Sequence, residues 1–136
     1  MTLFGDEHVR RYQETDGAEG YHWKNDTTIL LLTTTGRKSG EDRTNALIYR
    51  DWEDKQLIVA SKGGADTPPA WFLNLEKRPE VTVQIKDDRF SARARVANDD
   101  EKASMWEHMV QVWPDYANYQ ARTDRPIPVI VLERVA

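Results

Sequence analysis

Two short runs of strict alternation, VTVQI (residues 81–85) and FSARARV (residues 90–96), are separated only by the polar stretch KDDR. Val81, Val83 and Ile85 share one face of the first run. Phe90, Ala92, Ala94 and Val96 share one face of the second, with Ser91, Arg93 and Arg95 opposite. A period of two belongs to an extended chain with one buried face, so this pair predicts a hairpin. The stretch TTILLLTTT (27–35) is rich in β-branched residues and stops at the turn sequence GRKSG, which predicts another strand. NALIYRDW (45–52) and QLIVAS (56–61) flank the polar EDK as a further hairpin, and PVIVLERV (128–135) closes the chain as a strand. Consecutive hairpins without repeated βαβ units predict an α+β domain with an antiparallel sheet, and six strands with few helices predict a closed barrel. A ferredoxin-like sandwich is the alternative arrangement of the same elements.

The intervening segments read as short helices. DEHVRRYQET predicts an N-terminal helix within residues 5–16, with a thin apolar face and an end at Gly17 and Gly20. Thr67 is placed to cap a helix whose first positions tolerate Pro68 and Pro69, and Pro79 stops it near Arg78. Asn98 followed by Glu101 has capping-box spacing, and Ala103, Trp106, Val110 and Trp113 fall near one face of the helix it opens. Pro114 closes that helix, and Asp115 is placed to cap a turn holding Tyr116 and Tyr119.

The 136 residues fit one domain, 1–136, large enough to hold a core without staples. The chain has no cysteine, which excludes disulfides, thiolate metal sites, iron–sulfur clusters and dithiol redox couples. Redox chemistry here requires a bound cofactor. Apolar runs such as Ile29 to Leu32 are far short of a membrane span, and MTLFGDEHVRR lacks a signal peptide's order, so the expected location is cytoplasmic. A net charge of −4 argues against a nucleic-acid partner, and on such a chain a local basic patch points to a small anionic ligand.

Two turns carry such patches. Ser61-Lys62-Gly63-Gly64 combines glycines, which let backbone N–H groups approach an anion, with a cation. GRKSGEDR concentrates Arg37, Lys38 and Arg43 against Glu41 and Asp42. Each would read the same as an ordinary solvated turn, but two of them after apolar strands suggest one extended anion. Trp71 and Asn74, three apart, can present a ring and an amide from one helix face. Trp113, Tyr116 and Tyr119 straddle Pro114, where rings can wall a planar ligand or serve as lid packing, while Trp106 reads as core. His8, His22 and His108 have no metal-site spacing and read as solvated or structural; no metal site is expected. Ser61 has no adjacent base and does not read as a nucleophile.

TTTGRKSG, IVASKGGADTPPAWFLNL with PEVTVQI after it, and WPDYANYQARTDRPIPVIVLE resemble, in that order, the deazaflavin-dependent nitroreductase family. The resemblance spans roughly residues 27 to 134. It implies a split β-barrel that binds coenzyme F420, a planar deazaflavin carrying a phosphate and an oligoglutamate tail. By the family pattern Arg37, Lys38 and Ser39, with Arg43 and Asn45 nearby, meet the phosphate and tail. Ala60, Ser61 and Lys62 lie along the ring and linker, and Trp71, Asn74 and Tyr116 complete the cofactor pocket. Ile48, Tyr49, Trp113 and Tyr119 fall at substrate positions. Trp113 and Ile48 depart from the pattern, which has Tyr at both, so fewer hydroxyls are available to orient a nitroimidazole.

The implied activity is hydride transfer from reduced F420 to a small organic acceptor such as a quinone, enone or nitroaromatic. Ser61 or Tyr116 is the expected catalytic donor of a hydrogen bond or proton. A non-enzymatic deazaflavin carrier and an FMN-binding split barrel are the rival readings. The basic surface at Arg37, Lys38 and Lys62 suits a long polyanion better than a single phosphate. Barrels of this type often pair, which makes a homodimer compatible with the sequence. Peripheral membrane contact by the N-terminal helix stays open, although its apolar face is too thin to predict it.

Overall fold

The computed structural model describes residues 3–135. Strands β2 (Thr27–Thr35), β3 (Asp42–Trp52), β4 (Lys55–Val59), β5 (Glu80–Ile85), β6 (Asp88–Val96) and β7 (Val129–Arg134) pair in the order β2-β3-β4-β7-β6-β5. β5 then pairs back onto β2 through Leu31↔Gln84, Leu32↔Val83 and Thr33↔Thr82, so the ring closes. Every pairing is antiparallel. This is the expected six-stranded barrel, and the ferredoxin-like alternative is set aside. The chain adds β1 (His22–Trp23), paired with the start of β2 through His22↔Thr28 and Trp23↔Thr27. A two-residue strand is too short to show alternation in the sequence.

Tight turns set the register. Ile85↔Asp88 leaves Lys86 and Asp87 as a two-residue loop, and Trp52↔Lys55 leaves Glu53 and Asp54. Lys86 (φ 56°) and Glu53 (φ 58°) take left-handed backbone at the first loop position, which matches the twist of the flanking strands. In the barrel interior Leu30 and Leu32 meet Val81, Val83, Phe90, Ala92, Ala94, Ile130 and Leu132. Val96, expected on the same face as Phe90, lies at the strand end and is 45% exposed.

β2 is apolar on both faces because a helix covers its outer side. Ile29 and Leu31 lie against Tyr12 of α1 (Gly5–Thr15). Tyr12 is fully buried; its hydroxyl donates to the Ile29 carbonyl (3.0 Å) and accepts from the Lys86 N–H (2.7 Å). One buried phenol therefore anchors a helix whose apolar face is otherwise thin.

The remaining helices depart from expectation at their ends. α2 (Ala70–Lys77) starts after both prolines, with Pro69 at the N-cap position, and Thr67 makes no cap. The residue before a proline disfavours helical backbone, so Pro68 cannot enter the helix. Arg78 ends α2 as expected. The capping box forms: Asn98 Oδ1 accepts from the Glu101 N–H (3.0 Å), and Glu101 Oε2 accepts from the Asn98 N–H (2.8 Å). The core face of the helix it opens, α3 (Asp99–Val112), centres on Met105 and Met109; Trp106 and Val110 flank it half-buried and Ala103 is exposed. α4 (Asp115–Ala121) has Pro114, not Asp115, at its N-cap. α3 and α4 together cover the outer face of β4 and β7 at Leu57, Val59, Val129 and Val131.

Candidate active site

The chain leaves the barrel at the end of β4 and enters a tight turn at Lys62–Gly64. Ser61 is right-handed helical (φ −84°, ψ −39°), and Lys62 (φ 46°) and Gly63 (φ 64°) are left-handed. That sequence of conformations turns successive N–H groups toward one concavity, an anion-binding nest. Among the described residues the N–H groups of Ser61, Lys62 and Gly63 have no acceptor.

The segment after α4 holds this turn in place. Arg125 donates to the carbonyls of Ala65 (Nε, 2.8 Å), Ser61 (Nη2, 2.9 Å) and Ala60 (Nη1, 3.3 Å). Gln120 fixes Arg125 in turn, donating to its carbonyl (2.9 Å) and accepting from the Ile127 N–H (2.8 Å). Gly64 (φ 86°) lies so close to α4 that a Cβ there would be 2.6 Å from the Tyr119 carbonyl oxygen.

The second basic turn is closed by its own backbone: the Gly36 N–H donates to Glu41 O (2.7 Å) and the Gly40 N–H to Gly36 O (2.9 Å), while Ser39 Oγ accepts from the Glu41 N–H (3.1 Å). Asn74 is 3% exposed and locks Arg37. Its Oδ1 accepts from the Arg37 N–H (3.2 Å) and Nη1 (3.0 Å), and its Nδ2 donates to Thr34 Oγ1 (3.1 Å). Asn74 is thus a positioning residue for the guanidinium.

These turns border two adjacent cavities. A cleft of about 800 Å³ is lined by Arg37, Lys38, Ser39, Arg43, Asn45, Lys62, Trp71 and Asn74, with Asp6 and Asp42 as its carboxylates. Four cations against two carboxylates leave it positive on an acidic protein. A chamber of about 320 Å³ is lined by Ile48, Ser61, Lys62, Trp71, Trp113, Tyr116 and Tyr119. Lys62, Pro69 and Trp71 belong to both walls, so the two spaces are adjacent.

Two of the residues singled out from the sequence line neither space. Ala60 is fully buried, with its carbonyl held by Arg125. Tyr49 lies in the barrel core with its hydroxyl 3.0 Å from that of Tyr21, and burial together with that hydrogen bond pushes its ionisation well above the usual phenol range. Among the chamber residues not foreseen are Phe4, His8 and Trp23. They reach the chamber through α1 and β1, by contacts distant in sequence. Trp23 stacks on Trp113 (ring centroids 5.7 Å, 27°), and Phe4 meets Trp23 edge-on at 5.6 Å. Trp113 Nε1 donates to the Tyr119 hydroxyl (3.3 Å), and Tyr116 meets the Tyr119 ring edge-on at 6.1 Å. Burial pushes the Tyr116 phenol well above its ordinary range, so at neutral pH it is a hydrogen-bond donor.

A positive cleft beside a ring-lined chamber with an anion nest in its wall has the charge and shape for a long anion with a planar head. The chain matches the F420H(2)-dependent quinone reductase family over residues 5–134. It belongs to that family. An F420H(2)-dependent quinone reductase of Mycobacterium tuberculosis (strain ATCC 25618 / H37Rv) is 39% identical over 130 residues, covering 93% of this chain and 87% of that protein. A solved F420-H2 dependent reductase shares 40% identity and a TM-score of 0.71, covering 77% of this chain and 93% of its own. A solved domain-swapped dimer shares 37% identity and a TM-score of 0.75, covering 92% and 96%. This family member is an F420H(2)-dependent reductase with reduced coenzyme F420 as its cofactor. The carrier and FMN readings give way to that assignment. The donor set fits the coenzyme: cations and free N–H groups for phosphate and carboxylates, and aromatic walls for a tricyclic head.

Proposed function

We propose that the F420 phosphate and tail occupy the cleft of Arg37, Lys38, Ser39, Arg43 and Asn45, that its ring lies along Ser61, Lys62, Trp71 and Tyr116 in the chamber, and that a quinone stacks on that ring against Ile48, Trp113 and Tyr119. The single observation that carries this reading is the wall shared at Lys62, Pro69 and Trp71, which sets the positive cleft directly beside the aromatic chamber. When bound, the reduced coenzyme supplies a hydride, and so both electrons of the reduction. The residues orient, hold charge and exclude water.

Lys62 and the N–H groups of Ser61, Lys62 and Gly63 hold negative charge at that shared wall. Trp113, braced by Trp23 and Tyr119, gives a flat wall against which a quinone ring stacks. The Ser61 and Tyr116 hydroxyls donate hydrogen bonds to the charge that develops on the acceptor oxygen. Ile48 leaves this wall apolar, which favours a quinone ring over a polar nitro group. The reading includes a homodimer, supported by the similar domain-swapped structure, and a cytoplasmic location. No helix among the described residues is long and apolar enough to cross a membrane.

The test separates the two cavities. Trp113→Ala is expected to raise KM for a short-chain naphthoquinone about tenfold, the loss of roughly 1.4 kcal/mol of stacking, while F420 affinity stays within about twofold. A variant that loses F420 affinity and keeps its quinone KM contradicts the assignment.

A further inference from the structure

We propose that His8 is the catalytic proton donor to the bound quinone. This deepens the reading above and rests on it. His8 is 3% exposed and lines the chamber from α1. Its Nε2 lies 2.8 Å from the Gly20 carbonyl oxygen, which can only accept, so Nε2 carries a hydrogen in every protonation state that keeps this bond. A Cβ on Gly20 would lie 2.9 Å from His8 Cδ2 and 3.1 Å from Nε2, so that edge of the ring abuts Gly20. Nδ1 is on the far edge and has no hydrogen-bond partner among the described residues. The ring lies 6.2 Å from that of Trp23, which also stacks on Trp113. Imidazole is thereby fixed at one nitrogen and free at the other.

Reduction of a quinone to a hydroquinone takes two electrons and two protons. The hydride brings both electrons and one proton; the second proton must reach a quinone oxygen from another source. In the proposed step the Nδ1–H bond of the His8 imidazolium breaks and an O–H bond forms on the hydroquinone anion. Neutral imidazole remains, its Nε2–H still on Gly20, and takes a new proton from water.

Among the described residues the other titratable groups of the chamber wall are Lys62, Tyr116 and Tyr119, and no carboxylate lines it. Tyr12 follows one turn later on α1, and Lys24 lies over the Trp23 ring at 5.3 Å. Lysine and phenol release protons only at high pH, and burial moves Tyr116 further that way. Among these side chains only imidazole can give up a proton at one nitrogen while the N–H at the other keeps its hydrogen bond. Ser61 and Tyr116 then donate hydrogen bonds, and His8 donates the proton.

His8→Gln retains an amide N–H for Gly20 and removes the titrating group. Expected results are a fall in kcat for naphthoquinone of about 100-fold, loss of the wild-type decline of kcat with rising pH, and unchanged F420 affinity. Nitrogen NMR of the wild-type protein without cofactor is expected to show the Nε2–H tautomer, with the Nδ1 resonance shifting when a quinone is added. An active wild type with a His8→Gln variant of the same rate and pH profile overturns the role of His8 alone. An Nδ1–H tautomer, or an Nδ1 resonance that ignores quinone, overturns it too, even where the variant does not fold. A wild type that reduces no quinone overturns both this step and the chamber assignment.

Discussion

Arg125→Met is expected to cut F420 affinity about 100-fold although Arg125 lines neither cavity. Its guanidinium satisfies the carbonyls of Ala60, Ser61 and Ala65, and methionine fills similar volume with no donor. Leaving buried acceptors unpaired costs about 1–3 kcal/mol each, and the turn relieves that cost by moving its carbonyls toward water. Such a movement rotates the N–H groups of Ser61, Lys62 and Gly63 out of their shared concavity. The nest would be lost while the cations of the cleft remain. Arg125→Lys, with one ammonium in place of a planar fork, is expected to recover only part of the loss. A titration with oxidised F420, run beside a thermal melt, checks this. Wild-type affinity in a folded Arg125→Met protein would show that the turn holds its shape without the brace.

Gly64→Ala is expected to be the more damaging change to the fold. The position combines left-handed backbone (φ 86°) with a Cβ path that ends 2.6 Å from the Tyr119 carbonyl oxygen. The obstructing atom belongs to the backbone of α4, so no rotamer change relieves it. Strain and displacement together cost roughly 3 kcal/mol, or roughly 10 °C in Tm for a domain of this size. Because Tyr119 and Tyr116 share α4, the shift moves the chamber wall as well as the turn. Affinity for F420 and KM for quinone should therefore both worsen. Gly63→Ala is the informative control, since a Cβ there meets nothing within 4 Å and only the backbone conformation (φ 64°) is penalised. A Gly64→Ala protein with unchanged Tm would mean that the turn and α4 are not in contact in solution.

These two positions show where the sequence was informative and where it was not. Alternation in β5 and β6, the β-branched run of β2 and the polar turns between them were sufficient for the barrel, because period and turn chemistry are local properties. The glycines and cations of the two basic turns were visible for the same reason. Arg125 was not, since its partners lie about sixty residues earlier and an arginine between Asp124 and Pro126 resembles any exposed turn residue. The chamber's far wall was hidden likewise: Phe4, His8 and Trp23 come from α1 and β1, whose docking depends on the buried Tyr12 hydroxyl. The thin apolar face of α1 was read correctly, but one fully buried phenol replaced the stripe that periodicity detects. Asn74 stood out in the sequence as a candidate; its hold on Arg37 emerges only when β2 brings Thr34 beside α2. Tyr49 shows the opposite case, where a neighbour of Ile48 in sequence points into the core because successive strand residues face opposite ways.

The measurement that tests the central claim most directly is a fluorescence titration of the purified apoprotein with oxidised F420, repeated at rising salt and with FMN. Saturable F420 binding is predicted, weakened about tenfold or more by Arg37→Ala and by Lys62→Ala, with a salt dependence that each substitution reduces. FMN, with one phosphate and no polyanionic tail, should bind far more weakly. Equal binding of both ligands, or F420 affinity indifferent to Arg37, Lys62 and salt, would contradict the account of a cleft built for a long anion.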